Sequence, residues 1–283
     1  YTAGIETTKV AHEWITAANG MNKVIVISNH SKNTYESTVY EGSDGNSSVI
    51  LKTQTDIEAV NYPVKIFDSL PEVKLNLEHD INFLSVAQWS PRKDIENSVR
   101  WFIEEFKDEE VGLVLKTNMA KNCLIDRENC EGMLRGLIRD LPKDRKCKLY
   151  LLHGDMTDEE MHSLYKHDKI SAYTAIPHGE GYGLPIFEAA YSGLPVVTIG
   201  WSGQLDFLVS EEGKIRFYDV GFDLKPVSKE VVWDGVLIEE SGWAYARETS
   251  YKEKLRQCYN DIKSNTGHVA NAQQYAEDLH ERF

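Results

Sequence analysis

The sequence predicts an α/β fold, a doubly wound parallel sheet of the Rossmann-like kind. Three observations carry that expectation. Short runs rich in Val, Ile and Leu recur along the chain. Segments with helical apolar spacing lie between them. The two kinds alternate from residue 81 to about residue 210, and such alternation is the pattern of a parallel sheet covered by helices on both faces.

The runs are KVIVIS at 23–28, INFLSVA at 81–87, GLVLKT at 112–117, KLYLLHG at 148–154, ISAYTAI at 170–176 and PVVTIG at 195–200. Continuous apolar runs of this length suit strands buried on both faces. In DIENSVRWFIEEF, residues Ile95, Val99, Phe102, Ile103 and Phe106 share one helical face. Met133, Leu134, Leu137, Ile138 and Leu141 do so in EGMLRGLIRDL. Thr157 and Glu160 have the spacing of a capping box.

The first 60 residues read differently. A helical stretch, TTKVAHEWITAAN, precedes the strand KVIVIS, and EGSDGNSS at 41–48 reads as a polar loop. One strand and one or two helices cannot close a domain. Residues 1–66 therefore read as the end of a first lobe whose beginning lies outside this sequence. Residues 67–80, within a stretch holding two prolines and little periodicity, read as a linker. Residues 81–266 form the main domain, and 267–283 a polar helix packing back across the lobes.

Composition narrows the function. The chain has 283 residues, 45 acidic against 31 basic, and a formal net charge of −14. That charge repels phosphate at long range and argues against nucleic acid as the main partner. No window approaches the roughly 18 consecutive apolar residues of a membrane span, and no basic-then-apolar leader opens the sequence. Cys123, Cys130, Cys147 and Cys258 form no C-x-x-C pair. They read as free thiols of a cytoplasmic protein.

The chemistry is concentrated in IPHGEGYGLPIFEAAYSGLPVV, residues 176–197. A strand ends near Ile176, and glycines follow at 179, 181 and 183. Pro185 suits the first position of a helix, since its missing N–H costs nothing there. Gly193 ends the helix, and a new strand begins at Pro195. A glycine loop before a helix start presents free N–H groups at a positive dipole end, a natural phosphate site. Glu180 and Glu188 flank the loop. On spacing alone, a tight strand-to-helix turn with two solvated acids is an equal reading.

The residues themselves are more specific. The stretch GEGYGLPIFEAAYSGLPVV resembles the E-x7-E signature of retaining, nucleotide-sugar-dependent glycosyltransferases of the GT-B fold (the group 1, or family 4-like, enzymes). Glu180, Gly181, Gly183, Leu184, Pro185, Glu188, Ala189, Gly193, Pro195, Val196 and Val197 all fit the pattern. SVAQWSPRKDIENSVRWFIEEF resembles the first strand, basic turn and helix of the donor-binding lobe, and GLVLKT its second strand. WSGQLDFL and SGWAYAR resemble a subgroup of these enzymes. AHEWI and KVIVISNHSKNTYES resemble the close of the acceptor lobe.

The resemblance implies transfer of a hexose-type sugar from a nucleoside diphosphate sugar, taken as a UDP-sugar, to an acceptor hydroxyl with retention. It implies that Glu188 binds the ribose and that Glu180 lies at the donor sugar near the reacting carbon. Backbone groups of Gly181, Tyr182, Gly183 and Leu184 would hold sugar and diphosphate. Lys93 keeps the position of the family's lysine, with Arg92 beside it, while Gln88 stands where an arginine is usual. Lys116 is a further candidate for the phosphates. No D-x-D pair occurs, so no metal or other cofactor is expected, and Lys93 with Lys116 would take a metal's role. The alternative is a module that binds nucleotide sugar without catalysing transfer; epimerisation and phosphorolysis lack a distinct motif.

The remaining candidates read as structural. His178 is a rim or packing residue. His153, His162 and His167 match no metal spacing. Asp206 is expected to cap the helix it opens, with packing beneath the donor pocket as the alternative, and Trp89 and Trp201 to form core or cleft wall.

Overall fold

The computed structural model describes residues 1–43 and 48–283. The first part contains α1 (His12–Asn19), β1 (Lys23–Val26), α2 (Asn29–Ser37), β2 (Val39–Ser43), β3 (Ser48–Lys52) and β4 (Asp56–Ala59). β1 and β4 pair in parallel, and β2 and β3 form an antiparallel hairpin. Ile15, Val26, Tyr35 and Ile57 join in a small core. Residues 1–60 thus hold four strands where one was expected. β2 and β4 carry too few apolar residues to stand out as runs. The ends of the supposed 41–48 loop are hairpin strands; its centre, 44–47, lies outside the described residues.

No helix or strand occurs from 60 to 81. This segment is nonetheless anchored, because Tyr62, Val64, Leu75 and Leu77 pack on the core beyond it.

The main sheet comprises β5 (Asn82–Gln88), β6 (Gly112–Asn118), β7 (Lys148–Leu152), β8 (Ala172–Thr174), β9 (Val196–Ile199) and β10 (Tyr218–Val220). All six run parallel, in the order β10-β9-β8-β5-β6-β7. The connections carry α3 (Ile95–Phe106), α4 (Leu124–Ile138), α5 (Asp158–Tyr165), α6 (Leu184–Tyr191) and α7 (Leu205–Leu208). The chain winds outward from β5 to β7, then returns to place β8 on the other side of β5. The strand order therefore reverses between β5 and β8, and the crevice at their carboxyl ends is where such sheets bind ligands.

Alternate residues explain the apolar runs. Phe83, Leu113 and Leu115 face one core, shared with Phe102 and Phe106 of α3. Leu84 and Val114 face the other, shared with Ile186 and Phe187 of α6. Burial on both faces leaves no polar alternation to read. Beyond the sheet, β11 (Phe222–Pro226) and β12 (Gly242–Ala246) pair antiparallel. Then α8 (Glu248–Ser264) covers the α3 face, and α9 (Ala272–Arg282) lies against α6. The capping box of α5 is present: Glu160 N–H donates to Thr157 Oγ1 at 3.2 Å, and Thr157 N–H to Glu160 Oε2 at 2.8 Å. Among the described residues no helix is long and apolar enough to cross a membrane. All four cysteines are free.

Asp206 departs from its expected role. Its Oδ2 accepts from Asn29 N–H at 2.8 Å, Asn29 Nδ2 at 3.1 Å and Asn61 Nδ2 at 2.8 Å. It caps the first turn of α2, a helix 177 positions earlier, rather than its own. The carboxylate thereby ties the first part of the chain to the main domain. Trp89 and Trp201 do pack against the first core as expected.

His162 lies buried between α5 and α6, stacked on Tyr191. Burial, with Lys166 and His280 nearby, pushes its pKa down to about 4. The unfolded chain therefore binds a proton here before the folded one does. Stability from this group is full above the ordinary value near 6.5 and falls as pH drops toward 4.

Two tests follow from these contacts. Urea unfolding of Asp206→Ala is expected to show a loss of about 1–3 kcal/mol, the worth of hydrogen bonds to a charged acceptor. In His162→Gln, the decline of the thermal midpoint between pH 6.5 and 4 should be shallower than in the wild type; an equal slope would assign the acid sensitivity to other groups.

Candidate functional site: the carboxyl ends of β5 and β8

Gly183, with φ +90°, starts α6, and Phe187 N–H makes the first turn bond to its carbonyl at 2.9 Å. The helix begins at Leu184, so Pro185 takes the second position, one residue later than expected. The amides of Leu184 and Ile186 precede that first bond and have no partner within the helix.

The other glycines of the loop serve chain-to-chain packing. A Cβ on Gly181 would lie 2.7 Å from Gly4 Cα, and one on Gly179 would lie 2.0 Å from the Glu6 carbonyl oxygen. Residues 4–6 therefore cross directly over the loop. Tyr182 points into the second core, against Tyr62, Phe187 and Phe207. Its hydroxyl is buried without a partner. Gly181 and Tyr182 can thus meet a ligand only through their backbone. Leu184 remains 40% exposed.

The sheet's switch point brings the predicted charges together. Arg92 and Lys93 come from a single helical turn, Pro91–Lys93, just after β5. Glu180 follows β8 and is buried. Lys93 Nζ pairs with Glu180 Oε1, and Arg92 Nη1 lies 3.1 Å from Oε2. Arg92 Nη1 also donates to the Gly179 carbonyl at 2.7 Å, and His178 N–H to the Arg92 carbonyl at 2.7 Å. On the far side, Glu180 N–H donates to Ser202 Oγ at 2.9 Å, and Ser202 is held in turn by Gln204. Glu180 is therefore held at its carboxylate by the two cations and at its backbone amide by Ser202.

Arg92 Nε reaches a second carboxylate, Glu6 Oε2, at 2.9 Å. Burial raises the Glu6 pKa, and Arg92 partly offsets the rise. Glu6 carries no sequence signal of its own. It is separated from Arg92 by the whole of the linker, and only the tertiary fold brings it in.

Glu188 sits in a separate cluster. Tyr165 OH donates to its Oε2 at 3.1 Å, and Lys65 Nζ lies 3.8 Å from Oε1. Burial raises its pKa, with Lys65 opposing. Lys116 stands apart from Glu180. Its Nζ donates to the Gly154 carbonyl at 2.5 Å, tying the end of β6 to that of β7, and burial lowers its pKa. Gln88 donates to the Met119 carbonyl at 2.6 Å. His178 is a packing residue as expected: buried, bonded through Nδ1 to the Ala244 carbonyl at 2.9 Å and stacked on Trp243.

Among the described residues, one group has metal-ligating atoms in close array: Asp126, Cys130 and His153. Its carboxylate is already occupied. Asp126 accepts from the N–H groups of Met119, Ala120 and Lys121 at 2.8–2.9 Å, and its Oδ1 is 2.9 Å from His153 Nε2. Those backbone bonds hold its carboxyl well below the usual range, while burial pushes the Cys130 thiol up to about 11. The carboxylate thus staples residues 119–121 to His153.

The α/β architecture is that of the Rossmann-like GT-B glycosyltransferases. Sucrose-phosphate synthase from Thermosynechococcus elongatus aligns with a TM-score of 0.61 and 14% identity, over 94% of this chain and 56% of that one. The pneumococcal O-GlcNAc transferase GtfA, solved with UDP and GlcNAc, aligns at 0.54 and 17% identity, over 98% and 50%. S. aureus TarM, solved with UDP among its ligands, aligns at 0.54 and 14%, over 98% and 48%. The chain spans about half the length of the structures it matches. No family model matches the sequence, and no curated protein matches it significantly.

The crossing of residues 4–6 over the loop is testable. Gly181→Ala should cost about 1–3 kcal/mol in urea unfolding, because backbone rather than a flexible side chain must yield. The control is Gly132→Ala in α4, where a methyl meets open space. That change should stabilise by about 0.5–1 kcal/mol.

Proposed function

We propose that this chain is the donor-binding part of a retaining glycosyltransferase. It would move a hexose-type sugar from a nucleoside diphosphate sugar, taken as a UDP-sugar, to an acceptor hydroxyl. The observation that carries this reading is the cluster of Glu180 with Lys93 and Arg92. It stands at the switch point of a parallel sheet, beside the open amino end of α6. The UDP held by GtfA and TarM supports the choice of base, and the E-x7-E resemblance supports retention.

In this reading the donor diphosphate takes Lys93 and Arg92 from Glu180. The freed carboxylate then faces the hydroxyls of the donor sugar. The bond from the anomeric carbon to the phosphate oxygen breaks, and a bond to the acceptor oxygen forms. The acceptor's proton passes to the departing phosphate. Positive charge grows on the sugar ring and negative charge on the diphosphate. The two cations, once on the diphosphate, and the amides of Gly183, Leu184 and Ile186 stabilise that separation. Gly181 and Tyr182 contribute backbone only. Glu188 binds the ribose hydroxyls after releasing Lys65, and Lys116 reaches the phosphates by leaving the Gly154 carbonyl.

The cations supply the charge a metal would otherwise bring, and the sequence has no D-x-D pair to hold one. Residues 1–66 would be the end of an acceptor lobe, 67–80 the linker, 81–266 the donor domain and 267–283 its closing helix. The rest of the acceptor lobe and the acceptor itself are the implied partners. Four unpaired cysteines fit a reducing, cytoplasmic setting.

Calorimetric titration with UDP, GDP and ADP tests the reading. One nucleotide, expected to be UDP, should bind saturably. Glu188→Ala should weaken it at least tenfold, about 1.4 kcal/mol, and EDTA should leave it unchanged. Equal affinity in the variant would overturn the assignment of Glu188, and loss of binding in EDTA the metal-free reading.

A further inference from the structure

A cavity of about 400 Å³ opens beside the Glu180 cluster, between residues 4–14 and the segment 231–243. Its walls include Trp14, Trp233 and Trp243, with Glu6, Arg92 and Lys9 among the charged groups. The walls are therefore mostly apolar, with three flat indoles, and a smaller charged side is suited to polar oxygen atoms. We infer that this cavity is a carbohydrate subsite that takes a pyranose ring. The inference rests on the proposed transferase reading for its role, as the seat of a sugar unit of the acceptor.

Three observations support a sugar over a plainly apolar occupant. The first is size, since about 400 Å³ lies within the usual range of small-molecule sites and suits a ring with its substituents. The second is the tryptophans. An indole face covers the C–H face of a pyranose at little conformational cost, as rigid aromatic anchors do elsewhere. Trp233 is 69% exposed, and its indole is bare to solvent. Its backbone is nonetheless fixed by a bridge to Leu237, with N–H to carbonyl bonds of 2.9 and 2.8 Å. Trp14 Nε1 also donates to the Gly235 carbonyl at 2.5 Å, so both walls hold this turn in place.

The third is Glu6. One of its oxygens, Oε2, is engaged by Arg92 at 2.9 Å, and the side chain keeps about a third of its surface exposed for a ligand. A carboxylate steadied by a guanidinium is a strong acceptor for a hydroxyl. Arg92 links this cavity to Glu180 directly, which sets a sugar here next to the proposed donor position.

The test uses the whole 283-residue chain. Methyl pyranosides of glucose, galactose, mannose and N-acetylglucosamine are titrated by ligand-observed NMR and tryptophan fluorescence, with hexanol as the apolar probe. At least one pyranoside should bind saturably and more tightly than hexanol. Trp233→Ala, at an exposed position that folding does not need, should weaken it at least tenfold, and Glu6→Gln likewise. UDP affinity should stay within twofold in Trp233→Ala. No pyranoside binding, binding indifferent to Trp233, or preference for hexanol would each overturn the inference. Pyranoside binding without any nucleotide binding would uphold the subsite and remove the donor reading instead, so the two fail separately.

Discussion

The buried group of Glu180, Arg92 and Lys93 is the constraint on which the site depends. Taking one carboxylate out of water is costly unless cations and hydrogen bonds replace its hydration. Here two cations do so, and both come from the single turn after β5. The same carboxylate belongs to the loop after β8. The electrostatic requirement of one acid therefore closes the crevice between two strands that are neighbours in the sheet although their paired residues are 89 positions apart, Leu84 with Tyr173 and Phe83 with Ala172. Arg92 carries the constraint one step further, to Glu6 and so to the first part of the chain.

This arrangement gives the cations two roles that compete. They neutralise Glu180 when nothing else is present, and they are the groups that any diphosphate would need. A diphosphate would therefore have to draw both cations from Glu180, replacing one anion by another at the same two groups. The cluster at Glu188 repeats the theme more weakly. Lys65, from the segment between the two parts of the chain, stands near that carboxylate and near Asp158. Both acids of the motif are thus held by cations from outside their own loop.

Much of this was legible in the sequence, and for identifiable reasons. Doubly buried strands leave unbroken apolar runs, so β5 to β9 could be read directly. The glycine loop and the acids at 180 and 188 share a compact stretch, where local order is meaningful. Lys93 and Arg92 could be placed because they follow a readable strand. Glu6 could not, since nothing around it marks a functional acid and its partner lies across the linker. Asp206 misled because a carboxylate in a first turn looks like a local cap, whereas its acceptors were taken by a remote helix. Lys116 was correctly put at the end of β6, yet its amino group is spent on a neighbouring carbonyl. The hairpin of β2 and β3 escaped notice because its residues are mostly exposed, and exposed strands have no hydrophobic signature.

The contact between Gly4 and Gly181 has a consequence of another kind. A methyl on either residue would strike the backbone of the other, at 2.6 or 2.7 Å. Neither clash can be relieved by enlarging the opposite residue, and neither glycine gains freedom if its partner changes. For anyone building a library of variants, these two distant letters behave as one coordinate that admits a single value. The economical choice is to leave both untouched and spend diversity on the open walls around Trp233.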